Sequence, residues 1–264
     1  MIEKLPYSKT NDYTSKQADA RRTVVSKHTK VDFQHTNHYS FDPKILAGNI
    51  ENFSGVVQVP MGFAGPLVVK GEAAKGEFYI PMATTEGTLL ASYNRGMKMC
   101  RLAGGITTTV INDRMNRSPV FVFKNARYAR DFGKWVTTNF EKIKAKAEET
   151  TSRGKLLDIG QYPMSKMRWL RFNFSTGDAA GQNMVTKATR NACNWILEQK
   201  PEGLENFSLA ANFDTDKKHS QLNSLKTRGK RVVAEIVLSK ALMEDVLHVS
   251  PQKLYYLRQM SSTG

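Results

Sequence analysis

The chain has 264 residues, of which 40% are hydrophobic and 24% charged, the composition of a globular protein with one large or two modest domains. No apolar run reaches the roughly 18 residues that span a bilayer, the N-terminal segment has no secretory core, and the two cysteines have no metal-ligand spacing. We therefore expect a cytoplasmic protein with no membrane segment and no metal, whose net charge of +15 favours a polyanionic partner: nucleic acid, a membrane surface or a phosphate-rich small molecule.

The N-terminal segment, residues 1–40, is polar and has few apolar positions at helical spacing. This pattern predicts an extended arm, with a short helix at 17–27 as the alternative. Regular structure is expected to begin near Phe41.

Strand patterns follow and lead to a carboxylate. Apolar and aromatic residues, separated by glycine and proline, predict strands at 56–59, 65–69 and 77–82. Thr84 or Thr85 is a candidate cap for the next helix, whose apolar side includes Leu89 and Met97. Glu86 is then expected in the first helical turn, where a carboxylate either complements the helix dipole or takes part in proton transfer.

The middle of the chain predicts six elements in the order strand, helix, strand, strand, helix, strand. Their bounds from the hydrophobic pattern are 119–123, 127–149, 156–162, 167–174, 178–198 and 207–213. The βαββαβ order is that of the ferredoxin-like fold, which specifies no function by itself.

A strand at 231–238 and helices at 241–247 and 251–260 complete the predicted elements. The last helix carries Leu254, Tyr255 and Leu257, and no later element is present to cover them. We therefore expect an exposed apolar face there, together with poor solubility or a partner.

Two segments of the middle region suit phosphate groups. Asp178, Gly181 and Asn183 lie in a stretch of small residues that opens a predicted helix, where free N–H donors suit a pyrophosphate. Ser152 and Arg153 place a hydroxyl beside a guanidinium, which suits a phosphate monoester. The alternatives are that Asp178 is an ordinary helix cap and that Ser152–Arg153 is a solvated basic turn.

A dense charge cluster follows the predicted strand at 207–213. It contains Asp214, Asp216, Lys217 and Lys218. A lysine at a domain junction can stabilise an oxyanion, whereas an exposed lysine pair with no role is the common alternative.

Four motifs occur in an order and spacing that resemble those of the 3-hydroxy-3-methylglutaryl-coenzyme A (HMG-CoA) reductase family. Each is weak alone, and their combination, from about Asp42 to the end of the chain, is specific. The motifs are Glu51-Asn52-Phe-Ser-Gly55, Pro81-Met-Ala-Thr-Thr-Glu86-Gly, Asp178-Ala-Ala-Gly-Gln-Asn183 and Thr215-Asp216-Lys217-Lys218.

The resemblance implies an oxidoreductase of the mevalonate pathway for isoprenoid biosynthesis, which reduces HMG-CoA to mevalonate and free coenzyme A with two NADPH, or NADH in some members. It also implies an α+β fold in which a ferredoxin-like NAD(P)-binding domain is inserted into a large α/β substrate domain. The expected domains are an arm at 1–40, the incomplete large domain at 41–117 and 215–264, and the inserted domain at 118–214.

Roles are carried over by motif. Glu86 resembles the family's proton donor and Lys217 its alkoxide-stabilising lysine, with Asp216 and Lys218 beside it. The remaining matches are substrate residues Arg117, Asn94 and Arg95, cofactor residues Asp178, Gly181 and Asn183, and Ser152 and Arg153, which resemble the pair that binds the 2′-phosphate of NADPH.

The sequence also departs from the family. Its catalytic aspartate and histidine belong to a later portion of the large domain, and this sequence stops before both. We therefore expect the chain to be inactive alone and to act as a homodimer or higher oligomer, or with a second chain that supplies the missing groups. The alternative is a non-catalytic, reductase-derived protein that binds nucleotide or coenzyme A.

Basic charge alone does not indicate nucleic acid. The sequence has no zinc-finger spacing, helix-turn-helix pattern or aromatic RNA-binding signature. Since HMG-CoA and NADPH both carry phosphates, we expect no nucleic-acid and no membrane partner.

Overall fold

A computed structural model describes residues 3–263 and divides them into two compact units. Unit 1 contains the described residues up to Leu67, the segment Glu77–Leu102 and the described residues from Ala241 onward. Unit 2 contains Val68–Gly76 and Ala103–Lys240. Among the described residues, no helix is long and apolar enough to cross a bilayer.

Unit 1 is mainly helical. Its helices are α1 (Ser15–Thr29), a 3₁₀ helix (Pro43–Leu46), α2 (Leu89–Leu102), α7 (Lys240–Leu247) and α8 (Pro251–Thr263), with the first residue of α7 assigned to unit 2. It also contains parts of strands β1 (Met61–Gly71) and β2 (Lys75–Ala83). The exposed apolar face expected on α8 is confirmed, because Leu254, Tyr255 and Leu257 are 39%, 67% and 45% exposed.

The prediction of an extended N-terminal arm is wrong over helix α1, where the structure agrees with the alternative of a helix at 17–27. The helix is capped by Thr14, whose Oγ1 accepts a hydrogen bond from the Gln17 N–H, and it buries Arg21 completely. The Arg21 guanidinium pairs with the Asp12 carboxylate and donates to the carbonyl oxygens of Pro6, Asp12 and Phe53. The hydrophobic pattern gave the wrong prediction because a polar residue, Arg21, occupies a buried position of the helix, where this network satisfies its hydrogen-bonding groups.

The strand predicted at 56–59 is also absent, since β1 begins at Met61. The Val56 N–H donates to the carbonyl oxygen of Thr36 at 2.9 Å, so this segment is bonded to the loop that contains Thr36. Val57 is 85% exposed and does not pack as a strand residue would.

Unit 2 contains the predicted ferredoxin-like order. Its strands are β3 (Ile106–Arg117), β4 (Val120–Phe123), β5 (Lys155–Met164), β6 (Met167–Ser175), β7 (Leu204–Ser208) and β8 (Gly229–Glu235), and its helices are α3 (Ala126–Thr138), α4 (Phe140–Glu148), α5 (Gln182–Glu198) and α6 (Gln221–Lys226). Strands β5, β6, β4 and β7 lie side by side in that order, and every pair is antiparallel. The α+β prediction with a βαββαβ unit is confirmed.

Two details of unit 2 differ from prediction. The helix expected at 127–149 is two helices, α3 and α4, because the Asn139 backbone leaves the helical region at φ −101° and ψ 17°. Strand β3 was not predicted, since its sequence is rich in threonine and polar residues. It pairs in parallel with Val69–Gly71 of β1 and antiparallel with β8, and its last three residues pair with β6.

The core of unit 2 lies between one face of this sheet and helices α3, α4 and α5. Fully buried side chains from the sheet and from α5 meet there, including Phe121, Phe123, Leu170, Phe172, Phe174, Ala188 and Ile196. Cys193 is also fully buried, and burial raises the pKa of its thiol, which disfavours the reactive thiolate form.

Candidate active site

The second face of the ferredoxin-like sheet is polar and is covered by the chain that follows β7. Because side chains alternate along a strand, Trp169, Arg171 and Asn173 of β6 point away from the core. The indole N–H of Trp169 donates to the carbonyl oxygen of Ala211 at 3.0 Å, and the Phe213 ring packs on Trp169 with centroids 5.1 Å apart. This anchors the segment that contains the predicted charge cluster.

Arg171 is fully buried under that segment. Its Nη2 donates to Asn223 Oδ1 and to the carbonyl oxygen of Thr227, each at 3.0 Å. The Asn116 amide oxygen, with the amide oriented to satisfy both groups, also accepts from Arg171 at 2.7 Å. Burial lowers the pKa of Arg171 from its ordinary value.

Asp214 and Asp216 are each held by an arginine. Arg117 Nη1 lies 2.7 Å from Asp214 Oδ2, and both side chains are nearly buried. Arg228 Nη2 lies 2.6 Å from Asp216 Oδ1, and the Gln182 amide donates to Asp216 Oδ2 at 2.7 Å. The acidic groups of the predicted cluster are therefore neutralised by cations from β3 and from the chain after α6.

Lys217 directly follows the anchored Asp216 in the chain, and its side chain is exposed. Its φ is +55°, and that of Thr215 is +46°, a left-handed conformation that is uncommon for residues other than glycine. Such a conformation costs of order 1 kcal/mol or more and persists only where surrounding contacts impose it. Among the described residues, no carboxylate pairs with the ammonium of Lys217 or Lys218.

The loop therefore presents the exposed ammonium of Lys217 next to two carboxylates that are already paired with arginines. Such a group, held in place before a reaction begins, can stabilise a negative charge that develops on a substrate oxygen.

The predicted cofactor residues lie at the start of α5. The helix begins at Gln182, so the prediction that Asp178 opens or caps it is wrong: Gly181 occupies the cap with φ +75°, and no side chain caps the helix. Asp178 is exposed in the preceding turn, and Asn183 is exposed in the first helical turn. The first N–H groups of α5 are thus available to an anion.

The Ser152–Arg153 turn reaches the same end of α5. Gly154 is buried, and a Cβ atom placed on it would lie 2.5 Å from Sδ of Met184, in the first turn of that helix. Ser152 and Arg153 themselves are exposed. The turn that contains Ser152 and Arg153 thus packs, through Gly154, against the first turn of α5. A hydroxyl, a guanidinium and uncapped helix amides are donor types that suit phosphate groups.

Glu86 lies in unit 1, in the connection between β2 and α2. Because α2 begins at Leu89, the expectation that Glu86 occupies its first turn is wrong. The Glu86 N–H donates to Thr84 Oγ1 at 2.9 Å, and its carboxylate is exposed.

The other predicted residues of unit 1 lie on α2. Asn94 Oδ1 accepts a hydrogen bond from the Gly65 N–H at 2.8 Å, so this amide fixes α2 to β1. Arg95 is exposed. Glu86, Asn94 and Arg95 belong to unit 1, whereas Lys217 and its network belong to unit 2.

Four residues of the ion-pair network around Asp214 and Asp216 were not predicted as site residues. Asp214 was recognised only as part of the charge cluster, and Arg228 lies in a basic stretch that gave no sign of a specific partner. Gln182 lies inside the Asp178–Asn183 motif, which was the available signal. Nothing in the sequence singled out Thr186, whose Oγ1 accepts from Arg117 Nε and Nη2 at 3.1 and 2.9 Å.

Comparison with known proteins identifies the family. A curated relative, 3-hydroxy-3-methylglutaryl-coenzyme A reductase of Pyrococcus abyssi, is 44% identical over 236 residues, which cover 89% of this chain and 58% of the relative. The protein of the same name from Methanocaldococcus jannaschii is 41% identical over 263 residues, 97% of this chain and 65% of the relative. The chain thus spans about three fifths of the length of these relatives.

A solved structure shares the fold. The class II reductase of Streptococcus pneumoniae bound to NADPH superposes with a TM-score of 0.59 at 16% identity, over 86% of this chain and 50% of that one. A sequence model of the family described as hydroxymethylglutaryl-coenzyme A reductase matches residues 17–264. This chain therefore belongs to the hydroxymethylglutaryl-coenzyme A reductase family.

Proposed function

We propose that this chain carries the glutamate, the lysine and the cofactor domain of an HMG-CoA reductase, an oxidoreductase that converts HMG-CoA to mevalonate and free coenzyme A with two NADPH. The observation that carries the proposal is the anchored loop of residues 214–218, which presents Lys217 from a network of paired charges in a chain of this family.

Lys217 acts on the carbonyl oxygen of the substrate in this proposal. Its ammonium donates a hydrogen bond to the oxygen as negative charge develops there, and an interaction of this kind typically accelerates a reaction about 10²–10³-fold. Glu86 supplies the proton that converts the resulting alkoxide to an alcohol. NADPH, when bound, supplies the hydride.

The cofactor is held at the start of α5. The uncapped amides beyond Gly181 receive the pyrophosphate, and Asn183 lies beside it. Ser152 and Arg153 bind the 2′-phosphate, which favours NADPH over NADH because only NADPH carries that group. Asp178 lies in the turn that precedes α5, beside the proposed cofactor site.

Substrate recognition is assigned to Arg117, Asn94, Arg95, Asp216 and Lys218. Arg117 is already bound to Asp214 and Thr186, so this guanidinium is oriented and uses its remaining N–H donors for the HMG carboxylate. Asp216 acts by orienting the lysine beside it, through its bonds to Gln182 and Arg228. Asn94, Arg95 and Lys218 complete the substrate side.

We also propose that the working form is cytoplasmic and is a homodimer or higher oligomer, or a complex with a second chain. The exposed apolar side chains of α8 support a partner, because a contiguous apolar face is unfavourable in water. Light scattering on the purified protein tests this proposal, and a stable monomer that turns over substrate would contradict it.

The reaction itself is tested on protein purified from its native source, so that any further segment or partner chain is retained. We expect NADPH oxidation that depends on HMG-CoA and is lost in Glu86→Gln. NADPH binding without any turnover would instead indicate a non-catalytic binding protein. Strongly salt-dependent binding to DNA or RNA, with no NADPH binding, would overturn the family-based proposal altogether.

Gly181 provides a test of the cofactor site. An alanine Cβ at this position would overlap Cγ2 of Thr176 and displace the first turn of α5. We expect Gly181→Ala to raise the Kd for NADPH about tenfold, equivalent to about 1.4 kcal/mol. Titration of NADPH by calorimetry measures the effect.

Gly177→Ala is the matched control. Gly177 also has a left-handed backbone, with φ +64°, but no atom lies within 4 Å of the position its Cβ would take. Both substitutions place alanine at a left-handed backbone position, so both have the same type of conformational cost. The difference between their NADPH Kd values therefore measures the effect of displacing the start of α5. Equal effects on the NADPH Kd would contradict the assignment.

A further inference from the structure

The side chain of Asn223, in helix α6, connects the buried arginine of the sheet to the loop that presents Lys217. Asn223 Oδ1 accepts from Arg171 Nη2 at 3.0 Å. Asn223 Nδ2 donates to the carbonyl oxygens of Thr215 and Lys218, at 3.2 and 3.1 Å. One amide therefore touches the loop on both sides of Lys217.

The orientation of this amide is determined by its neighbours. A guanidinium can only donate a hydrogen bond, and a backbone carbonyl can only accept one. The oxygen of Asn223 must therefore face Arg171, and its NH₂ group must face Thr215 and Lys218. No other amide orientation satisfies all three partners.

The loop needs this support because little else fixes its backbone around Lys217. Thr215 and Lys217 both have left-handed backbones. The backbone hydrogen bonds within the loop are Thr215 N–H to Asn212 at 2.9 Å and a long one, Lys218 N–H to Thr215, at 3.4 Å. The ion pairs of Asp214 and Asp216 hold side chains, whereas Asn223 holds the carbonyl groups that flank Lys217.

Arg171 makes the bridge rigid. It lies on the central strand β6, is fully buried, and pairs in register with β5 at Gly160. Helix α6 is itself fixed by Ser220, whose Oγ accepts from the Asn223 N–H at 3.1 Å. The position of Asn223 is thus set by both the sheet and its own helix cap.

We propose that Asn223 is the positioning residue for Lys217, acting through the Thr215 and Lys218 carbonyl groups, and that it transmits the position of Arg171 to the loop. This inference rests on the proposed function, since it assigns catalytic value to the position of Lys217. It predicts that the two N–H donors of Asn223, and not its size, determine the rate.

Two substitutions separate the parts of this bridge. In Asn223→Asp, the carboxylate still accepts from Arg171 but cannot donate to the loop. In Asn223→Ala, both contacts are lost. Asn194→Asp is the control, because Asn194 is exposed on α5 and the same change of one amide to a carboxylate occurs there.

The first measurement is amide hydrogen exchange on the purified protein, read at residues 215–218. We expect exchange there to be at least about tenfold faster in both Asn223 variants than in wild type or Asn194→Asp, because local opening is no longer opposed by the amide. Asn223→Asp should keep wild-type exchange in β6, since its bond to Arg171 remains.

The second measurement is steady-state turnover of HMG-CoA with NADPH, on protein that retains any further segment or partner chain. A misplacement of about 1 Å at a reacting group can cost about 100-fold in rate, so we expect kcat to fall tenfold to 100-fold in both Asn223 variants. The KM for NADPH should stay at the wild-type value, since Ser152, Arg153 and Gly181 are untouched. A purely structural role would instead leave Asn223→Asp active.

Wild-type exchange at residues 215–218, or wild-type kcat, in Asn223→Asp would overturn the proposal. Failure of the proposed function is recognised separately: the wild-type protein would then show no turnover of HMG-CoA, or Lys217→Met would turn over HMG-CoA at the wild-type rate. In either case Asn223 would have no catalytic role, whatever its exchange rates. Faster loop exchange together with a lower kcat in both Asn223 variants supports the proposal.

Discussion

Replacement of Lys217 by methionine is expected to reduce the kcat for HMG-CoA reduction about 10²–10³-fold, the loss typical of removing one donor to a developing oxyanion. Methionine keeps the length of the side chain but removes the ammonium. Lys217 is exposed and makes no ion pair among the described residues, so the fold should be unaffected. Steady-state kinetics measure kcat, and thermal unfolding verifies the fold.

Lys142→Met is the matched control for this change. Lys142 is exposed on α4 and belongs to no part of the proposed site. The control should keep the wild-type kcat and KM. A loss of activity in Lys142→Met as large as that in Lys217→Met would show that net charge, and not the position of one ammonium, determines the rate.

Replacement of Arg21 by alanine is expected to destabilise unit 1 by about 3–5 kcal/mol, because removal of one partner leaves a buried charge uncompensated. Arg21 is fully buried, its partner Asp12 is 9% exposed, and its other hydrogen bonds hold the chain at Pro6 and Phe53. Hydrogen exchange of the α1 amides as denaturant is added measures the loss within unit 1.

Arg101→Ala is the control for Arg21→Ala. Arg101 is exposed in the last turn of α2, also within unit 1. Its loss should change the stability of α1 by less than about 0.5 kcal/mol, as is usual for surface positions. Equal stability of α1 in Arg21→Ala and wild type would contradict a stabilising role for the buried Arg21 network.

The local pattern of the sequence was sufficient for much of unit 2. Alternation and helical periodicity gave the βαββαβ order, because each element buries one regular face in the core. The break between α3 and α4 was missed since the apolar period continues through Phe140 and Ile143, and only the Asn139 backbone interrupts it. Strand β3 was missed because its sequence is rich in threonine and polar residues and shows no clear apolar alternation. Backbone pairing with β1, β6 and β8 holds it in the sheet.

The site was predicted less completely, for a physical reason. The motifs singled out Lys217, Asp216 and the start of α5, but the partners of these residues come from distant positions. Arg117 meets Asp214 across 97 residues, and Arg171 meets Asn223 across 52. No local pattern reports such pairs. Arg171 in particular appears in the sequence as one more basic residue of a basic segment.

The same limit explains the error at α1. Arg21 and Arg22 look like surface residues of a polar arm, yet their guanidinium groups hold carbonyl oxygens of Phe53 and Ser54. Those carbonyls belong to the Glu51–Gly55 motif. The sequence therefore contained both halves of the contact, and only the three-dimensional fold shows that they meet.

The proposed function assigns Glu86 and Lys217 to the same reaction. A double-mutant cycle of wild type, Glu86→Gln, Lys217→Met and the double variant, measured as kcat/KM for HMG-CoA, tests this. We predict that the double variant is within about threefold of the slower single variant, because groups that act as a unit have non-additive effects. Losses that multiply, or either single variant at the wild-type rate, would contradict it.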